Sequence, residues 1–324
     1  MKGEIRMKNK NIFVSFIVVM ILSVTFSFVY AQEKVDLKLR LKKGQSYKTR
    51  TLSDMKINMM IPGQQQAMTI NQKTGNSNIY TVEDVQPDST IVLKITHDGI
   101  LFRMENPMAE AMEYDSADTS TAVGPMLPIF DSIVGQSFTV TMTSDGHVKG
   151  IQGADALLER IQGKINELPD VQTRAAIESN LKAQYSEEAL KTNTGNSFDM
   201  YPDSPVGIGD TWQKRTTMNQ GFPMIIDTIY TLKERKDGIA TIDVFAMIQT
   251  NRDASPTQMG AMTSQYNMSG SITGLMEMQE STGWPIRSNQ SLRLTGSITV
   301  QSPEMQQPMS IPMSLTGTIT QEPY

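Results

Sequence analysis

The chain has 324 residues, a net charge of −5, no cysteine and only two histidines. A disulfide framework, a thiolate nucleophile and a lipid-modified cysteine are thereby excluded, and an acidic chain without a long basic cluster lacks the face that phosphate binding needs, so nucleic acid is not an expected partner. Aromatics make up 6% while methionine reaches 24 residues, so a flexible thioether fills positions where Phe or Leu would usually stand.

The first residues carry Lys2, Arg6, Lys8 and Lys10, then an apolar run from Ile12 to Val29, then Val29-Tyr30-Ala31. This order is that of a secretory signal peptide, with cleavage expected after Ala31. The alternative is an uncleaved anchor helix, because the run sits at the lower edge of what crosses a bilayer. Cleavage is favoured, since Ser23, Thr25 and Ser27 dilute the run. The expected product is exported, periplasmic or extracellular, and soluble, with no stable membrane span.

Beyond the signal the pattern alternates with period two. Val35 to Leu41, Tyr47 to Met60, Ile79 to Val85 and Thr90 to Thr96 read as strands, with turns at Lys43-Gly44-Gln45, Pro62-Gly63 and Gln86-Pro87-Asp88-Ser89. Met104, Met108 and Met112 fall at helical spacing, which predicts a short helix before an acidic Ser/Thr/Asp loop from Asp115 to Thr121. Ser137 to Thr143 and His147 to Ile151 form a hairpin around Ser144-Asp145-Gly146.

Leu157, Leu158, Ile161, Ile165 and Leu168 then make the apolar stripe of an amphipathic helix ended by Pro169. Asp170 is placed to cap a second helix carrying Val171, Ala175, Ile177 and Leu181. Ser186 followed by Glu187, Glu188, Ala189 and Leu190 starts a third, and Gly195 closes the block. Strands return at Asp210 to Met218, Met224 to Glu234, Ala240 to Thr250, Asn267 to Glu280, Ile286 to Val300 and Met309 to Thr320. In the last of these, Gly270, Gly296 and Gly317 mark positions where a sheet bends.

The two β stretches echo each other. Gly44 to Thr51 parallels Gly209 to Thr216, Tyr80 to Val85 parallels Tyr230 to Arg235, and Thr141 to Val148 parallels Gln279 to Ile286. Three landmarks in one order point to an internal duplication. The organisation expected is a signal peptide at 1–31, an N-terminal β half at 32–153, a helical block at 154–195 and a C-terminal β half at 196–324. The fold class is α+β, mainly antiparallel β: two related curved sheets, or one half-barrel, linked by the helical block.

Little in the sequence supplies chemistry. His97 precedes Asp98-Gly99 and His147 follows Asp145-Gly146, so both read as solvated turn residues. No Gly-x-Ser-x-Gly elbow and no His-Glu-x-x-His pair occurs. Glu113, Asp115 and Asp118 match no calcium spacing. Methionines Met55, Met59 and Met60, or Met276 and Met278, raise copper(I), but without His or Cys they are better explained as one face of a β core. No cofactor, no metal and no catalytic residue is expected.

The string Tyr201-Pro202-Asp203-Ser204-Pro205-Val206-Gly207-Ile208-Gly209-Asp210-Thr211-Trp212 resembles a family of exported Gram-negative proteins known only as a domain of unknown function. The resemblance extends to Ser186 to Lys191, to Tyr114-Asp115-Ser116 and to Gly135 through Gly153. It implies no activity, and no site residue is carried over from it.

The reading that follows is a non-enzymatic module holding an apolar small molecule or lipid between sheet and helices. The candidate ligand-facing or core residues are Met55, Met59, Met142, Leu157, Ile161, Ile165, Trp212, Met276 and Met278. A structural or interaction component of the cell envelope, with an envelope protein as partner, is the alternative. A hydrolase built on a carboxylate pair is the third.

Overall fold

A computed structural model describes residues 33–324 apart from 64–65, 108–109, 125, 169–170, 219–221 and 260–261. The expected signal peptide, Met108, Pro169 and the Asp170 cap lie outside the described residues. The chain divides into Met1–Glu33 and Lys34–Tyr324, and all that follows concerns the second unit.

Alternating side chains produce long strands. In the N-terminal half these are β1 (Ser46–Met59), β2 (Met68–Val85), β3 (Ile91–Glu105), β4 (Met112–Asp115), β5 (Ser137–Met142) and β6 (Val148–Gln152). The C-terminal half has β7 (Thr211–Met218), β8 (Met224–Lys236), β9 (Ile239–Thr250), β10 (Thr257–Met259), β11 (Met262–Gln279), β12 (Trp284–Gln301) and β13 (Met309–Pro323). Among the described residues a 3-10 turn (Thr119–Thr121) and four α-helices intervene: α1 (Leu127–Ile133), α2 (Ala154–Asn166), α3 (Val171–Tyr185) and α4 (Glu187–Phe198).

The strands form a single open sheet rather than two, in the order β6-β5-β3-β2-β1-β13-β12-β11-β9-β8-β7. Every described pairing is antiparallel, including β1 with β13, which joins the two halves through partners such as Ile57 and Leu315.

Laid flat, β6 and β7 would stand about 48 Å apart, at ten interstrand steps of about 4.8 Å. One three-residue segment nevertheless touches both ends of the sheet. The Phe198 carbonyl crowds Gly146 in the β5–β6 turn so closely that a Cβ there would collide with it. Two residues on, the carbonyl of Met200 accepts the indole N–H of Trp212 on β7 at 2.7 Å. The sheet is therefore strongly curled at this end, with residues 198–201 between its edges. Trp284 and Tyr80, on two central strands, meet the Phe198 ring at 5.8 and 6.4 Å between centroids.

Bending of this degree needs backbone to approach backbone. At Gly296, with φ at +152°, a Cβ would strike the carbonyl of Asn267 on the next strand. The mid-strand glycine of β12 is thus a position where a neighbouring backbone comes too close for a side chain, while the β11–β12 register shift falls elsewhere, at Glu277/Met278.

The helices dock on the curled end. Leu157, Ile161 and Ile165 on α2 are at most 2% exposed and share a core with Leu93, Phe138, Val140 and Ile242. Ser186 caps α4 as its sequence implies, its Oγ accepting the Ala189 N–H at 3.3 Å. Gly195 does not end this helix, which continues to Phe198 because the Gly195 carbonyl still accepts the Asp199 N–H at 2.8 Å. Helix α1, with Pro128 in its first turn, was not signalled by apolar periodicity.

Val35 to Leu41 is extended but forms no ladder. Its only bridge is Val35 to Val206, and the N–H groups of Leu39 and Arg40 reach the turn carbonyls of Ser144 and Thr282 at 2.7 and 2.8 Å. The methionine spacing that suggested a helix is instead a strand pair: Met104 and Met112 face each other across β3 and β4.

The two halves are built alike in specific bonds. Gly44 N–H donates to the Val82 carbonyl at 2.8 Å, and Gly209 N–H to the Leu232 carbonyl at 2.7 Å. Tyr47 pairs with Tyr80 as Trp212 pairs with Tyr230. A bulge follows at Val82/Asp84 in one half and Leu232/Glu234 in the other.

Candidate functional site

Register determines what the inner face of the sheet carries. Met68, Met59, Met313, Gly296 and Met268 form one row across β2, β1, β13, β12 and β11. The row continues through Thr250, whose hydroxyl accepts the Met268 N–H at 2.8 Å, to Met224 and Met218. The next row toward the helices is Ile70, Ile57, Leu315, Leu294, Gly270, Ile248 and Ile226. A third holds Gln72, Met55, Gly317, Leu292, Ile272, Ala246, Thr228 and Lys214.

These rows form a second apolar cluster, separate from the core under the helices. Every residue assigned to it belongs to the sheet itself. Met224, Ile248, Met268, Leu292 and Met313 are buried, whereas Met55, Ile57, Met59, Ile226, Leu294 and Leu315 keep part of their surface open. Among the described residues no helix packs on it.

Above this floor the inner face of β1, β2, β13 and β12 turns polar. Thr74, Ser53, Ile319 and Gln290 make one row, and Asn76, Thr51, Gln321 and Ser288 the next. Gln290 donates to the Ser288 hydroxyl at 3.0 Å, and Gln321 to the Pro285 carbonyl at 3.3 Å. On β9 and β11 the corresponding positions remain apolar, with Val244, Ile242 and Met276 leading into the main core.

Charge is sorted by face. Along the inner rows of the described strands, Lys214 and His97 are the ionisable side chains other than tyrosine, and Lys214 is paired with Asp199 at 3.5 Å and Asp203 at 3.1 Å. The outer rows carry the ion pairs, such as Arg215 with Asp227 and Arg103 with Glu113. Period-two alternation explains the sorting, since one face of each strand meets solvent and the other the interior.

His97 corrects an expectation. It lies in β3, opposite Asn78, and not in a turn, because Asp98 is the extra residue of a bulge. Its Nδ1 lies 3.0 Å from the Asn78 side-chain oxygen, and Nε2 is buried without a partner among the described residues. Phe138 and Tyr185 pack against the ring at 5.8 and 6.0 Å, and burial pushes its pKa down to about 4. It is therefore neutral at ordinary pH. Burial likewise raises Tyr80, Tyr185 and Tyr230 to about 12. Among the described residues no cluster of His, Asp and Glu is arranged to hold a metal.

The structure divides the residues singled out from the sequence. Met142, Leu157, Ile161, Ile165, Met276 and Met278 fill the main core, at 5% exposure or less. Trp212 stacks on Tyr230 at 5.5 Å on the edge strand. Met55 and Met59 belong to the second cluster. Its other members, including Ile57, Met268, Met313 and Leu315, were not among the singled-out site residues, although their alternation in the sequence carried the signal; what was lacking was the register that sets them side by side.

Chains of known structure resemble this one weakly. A lipovitellin structure concerned with lipid–protein interactions shares 9% identity over 88% of this chain and 25% of its own, with a TM-score of 0.46; this chain thus spans about a quarter of its length. An OmpF complex with daunomycin from Salmonella typhi shares 8% identity over 88% and 99%, at a TM-score of 0.22. A DUF1329 family protein from Desulfovibrio piger shares 9% over 82% and 84%, at 0.13. These scores are too low to carry fold or function across. No curated protein matches. Residues 88–285 match the model of a family of unknown function, DUF6263, and with more than half of its length matched the chain belongs to that family.

Proposed function

We propose that this protein is a non-enzymatic binding module for an apolar ligand such as an acyl chain, held on the lower inner face of the sheet. The observation that carries this reading is the set of apolar rows across β1, β2, β13, β12, β11, β9 and β8, open in part at residues such as Met55, Ile57, Met59 and Leu315 and, among the described residues, without a helix over them. Surface of that kind gains roughly 25 cal/mol for each Å² removed from water, so an acyl chain laid along it is stabilised in proportion to the area it covers. Methionine side chains suit ligands of varied shape, because their rotamers adapt. The space between sheet and helices is occupied by the core, which supports a seat below the helices rather than between the two.

Native mass spectrometry of the full chain, prepared without detergent and mixed with oleate and with monoolein, tests this reading. A one-to-one adduct with at least one of them is expected. A chain that takes up neither would overturn it.

A second reading rests on the outer face. Phe245, Met247 and Leu275 stand 42%, 54% and 41% exposed on adjacent β9 and β11, which suits contact with another protein. Photocrosslinking from Met247 that recovers no specific partner would count against it.

Export directed by residues 1–31, with cleavage after Ala31, belongs to the same proposal and is tested by sequencing the mature N-terminus. So does descent of the two halves from one duplicated unit. The repeated Gly44/Val82 and Gly209/Leu232 bonds and the paired bulges support it. An alignment of relatives in which the two halves share no common pattern at these positions would speak against it.

A further inference from the structure

We propose that the ligand is a neutral amphiphile, whose uncharged ester, amide or hydroxyl group lies on the polar band above the apolar floor; this rests on the apolar-ligand reading. The band is built by Thr51 and Ser53 on β1 and by Thr74 and Asn76 on β2. All four are part or fully exposed, and none of their side chains hydrogen-bonds to protein among the described residues. They offer three hydroxyls and one amide, which both donate and accept, directly above the Met55 and Gln72 row, with Ile57 and Met59 further down the same face.

The same surface lacks what a charged headgroup requires. Apart from tyrosines, the inner rows of β1, β2, β11, β12 and β13 hold no ionisable side chain, and the neighbouring His97 is held neutral by burial. Lys214, the one cation on the inner rows among the described residues, is occupied by Asp199 and Asp203. A carboxylate or phosphate brought to the band would lose hydration without gaining a counter-charge, whereas an ester or hydroxyl exchanges water for Thr, Ser and Asn partners.

Binding of monoolein and of oleate to the full chain at pH 8, each below its aggregation threshold, decides the matter, because the two share one acyl chain and differ in head charge. Monoolein is expected to bind at least tenfold more tightly. The double variant Thr51→Val with Asn76→Leu is expected to reduce that preference to below threefold while retaining the chain-dependent part. Equal or tighter binding of oleate, or an unchanged preference in the double variant with its fold intact by circular dichroism, would overturn the neutral-head assignment and leave the apolar reading standing. Binding of neither lipid would overturn both.

Discussion

The indole N–H of Trp212 donates to the carbonyl oxygen of Met200 at 2.7 Å, fastening edge strand β7 to the segment that follows α4. Next to it, Tyr201 is 1% exposed and its hydroxyl donates to the Gly283 carbonyl at 2.9 Å, in the turn before β12. Two adjacent residues thus hold the curled end of the sheet from different strands.

Removing either donor leaves a carbonyl without its partner, at a cost of about 1–2 kcal/mol. Trp212→Phe and Tyr201→Phe are each expected to lower the urea midpoint by the corresponding amount, with an unchanged m-value. A neutral outcome for Tyr201→Phe would mean that its buried hydroxyl does not contribute to holding the curled end.

Glycine at the bend is a second test. Gly296→Ala puts a methyl into the carbonyl of Asn267 at a backbone angle that disfavours L-residues, so a loss of more than about 1 kcal/mol is expected. Gly150→Ala meets nothing within 4 Å and is expected to stay within about 1 kcal/mol of the parent. Similar losses at both sites, read by thermal or urea unfolding, would contradict the bending role.

The two apolar clusters should respond differently to truncation. Ile161→Ala, at 1% exposure, is expected to cost about 2–5 kcal/mol by cavity formation. Met59→Ser on the part-open floor is expected to cost less than about 1.5 kcal/mol while weakening lipid binding several-fold. Calorimetric unfolding and lipid titration together separate these effects.

His97 gives stability a pH dependence of fixed sign. Its folded pKa, about 4, lies below the ordinary value of 6.5, so the unfolded chain binds the proton more readily. The full benefit of the neutral ring is present above about pH 6.5 and is lost progressively as pH falls toward 4. The groups packed around the ring, Asn78, Phe138 and Tyr185, carry no charge in that window. Urea unfolding followed from pH 7.5 to 4 should show the parent losing more stability than His97→Gln, and an NMR titration should leave the His97 ring uncharged at pH 5.5.

Much of the fold was legible because period-two alternation and turn chemistry act locally. The strands from Thr211 to Thr250 and the cap at Ser186 followed from neighbouring residues alone. What escaped depends on distant partners. Asp98-Gly99 has the composition of a turn and is a bulge, because β2 continues alongside and pairs on both sides of it. The spacing of Met104 and Met112 fits a helix as well as a hairpin, and only the β3–β4 pairing distinguishes them. The floor was legible only in part for the same reason: Met55 and Met59 stood out, but Met59 and Met313 are 254 positions apart and become neighbours only through the β1–β13 ladder.

On the proposed function the sheet floor takes an apolar ligand, while the core beneath the helices is already filled. Methyl NMR of the full chain labelled with [13C-methyl]methionine and titrated with monoolein tests it most directly. Saturable shifts are expected at Met55, Met59 and Met68, with Met142 and Met278 unmoved. Shifts at Met142 and Met278 of equal size, or none at the floor methionines, would contradict it.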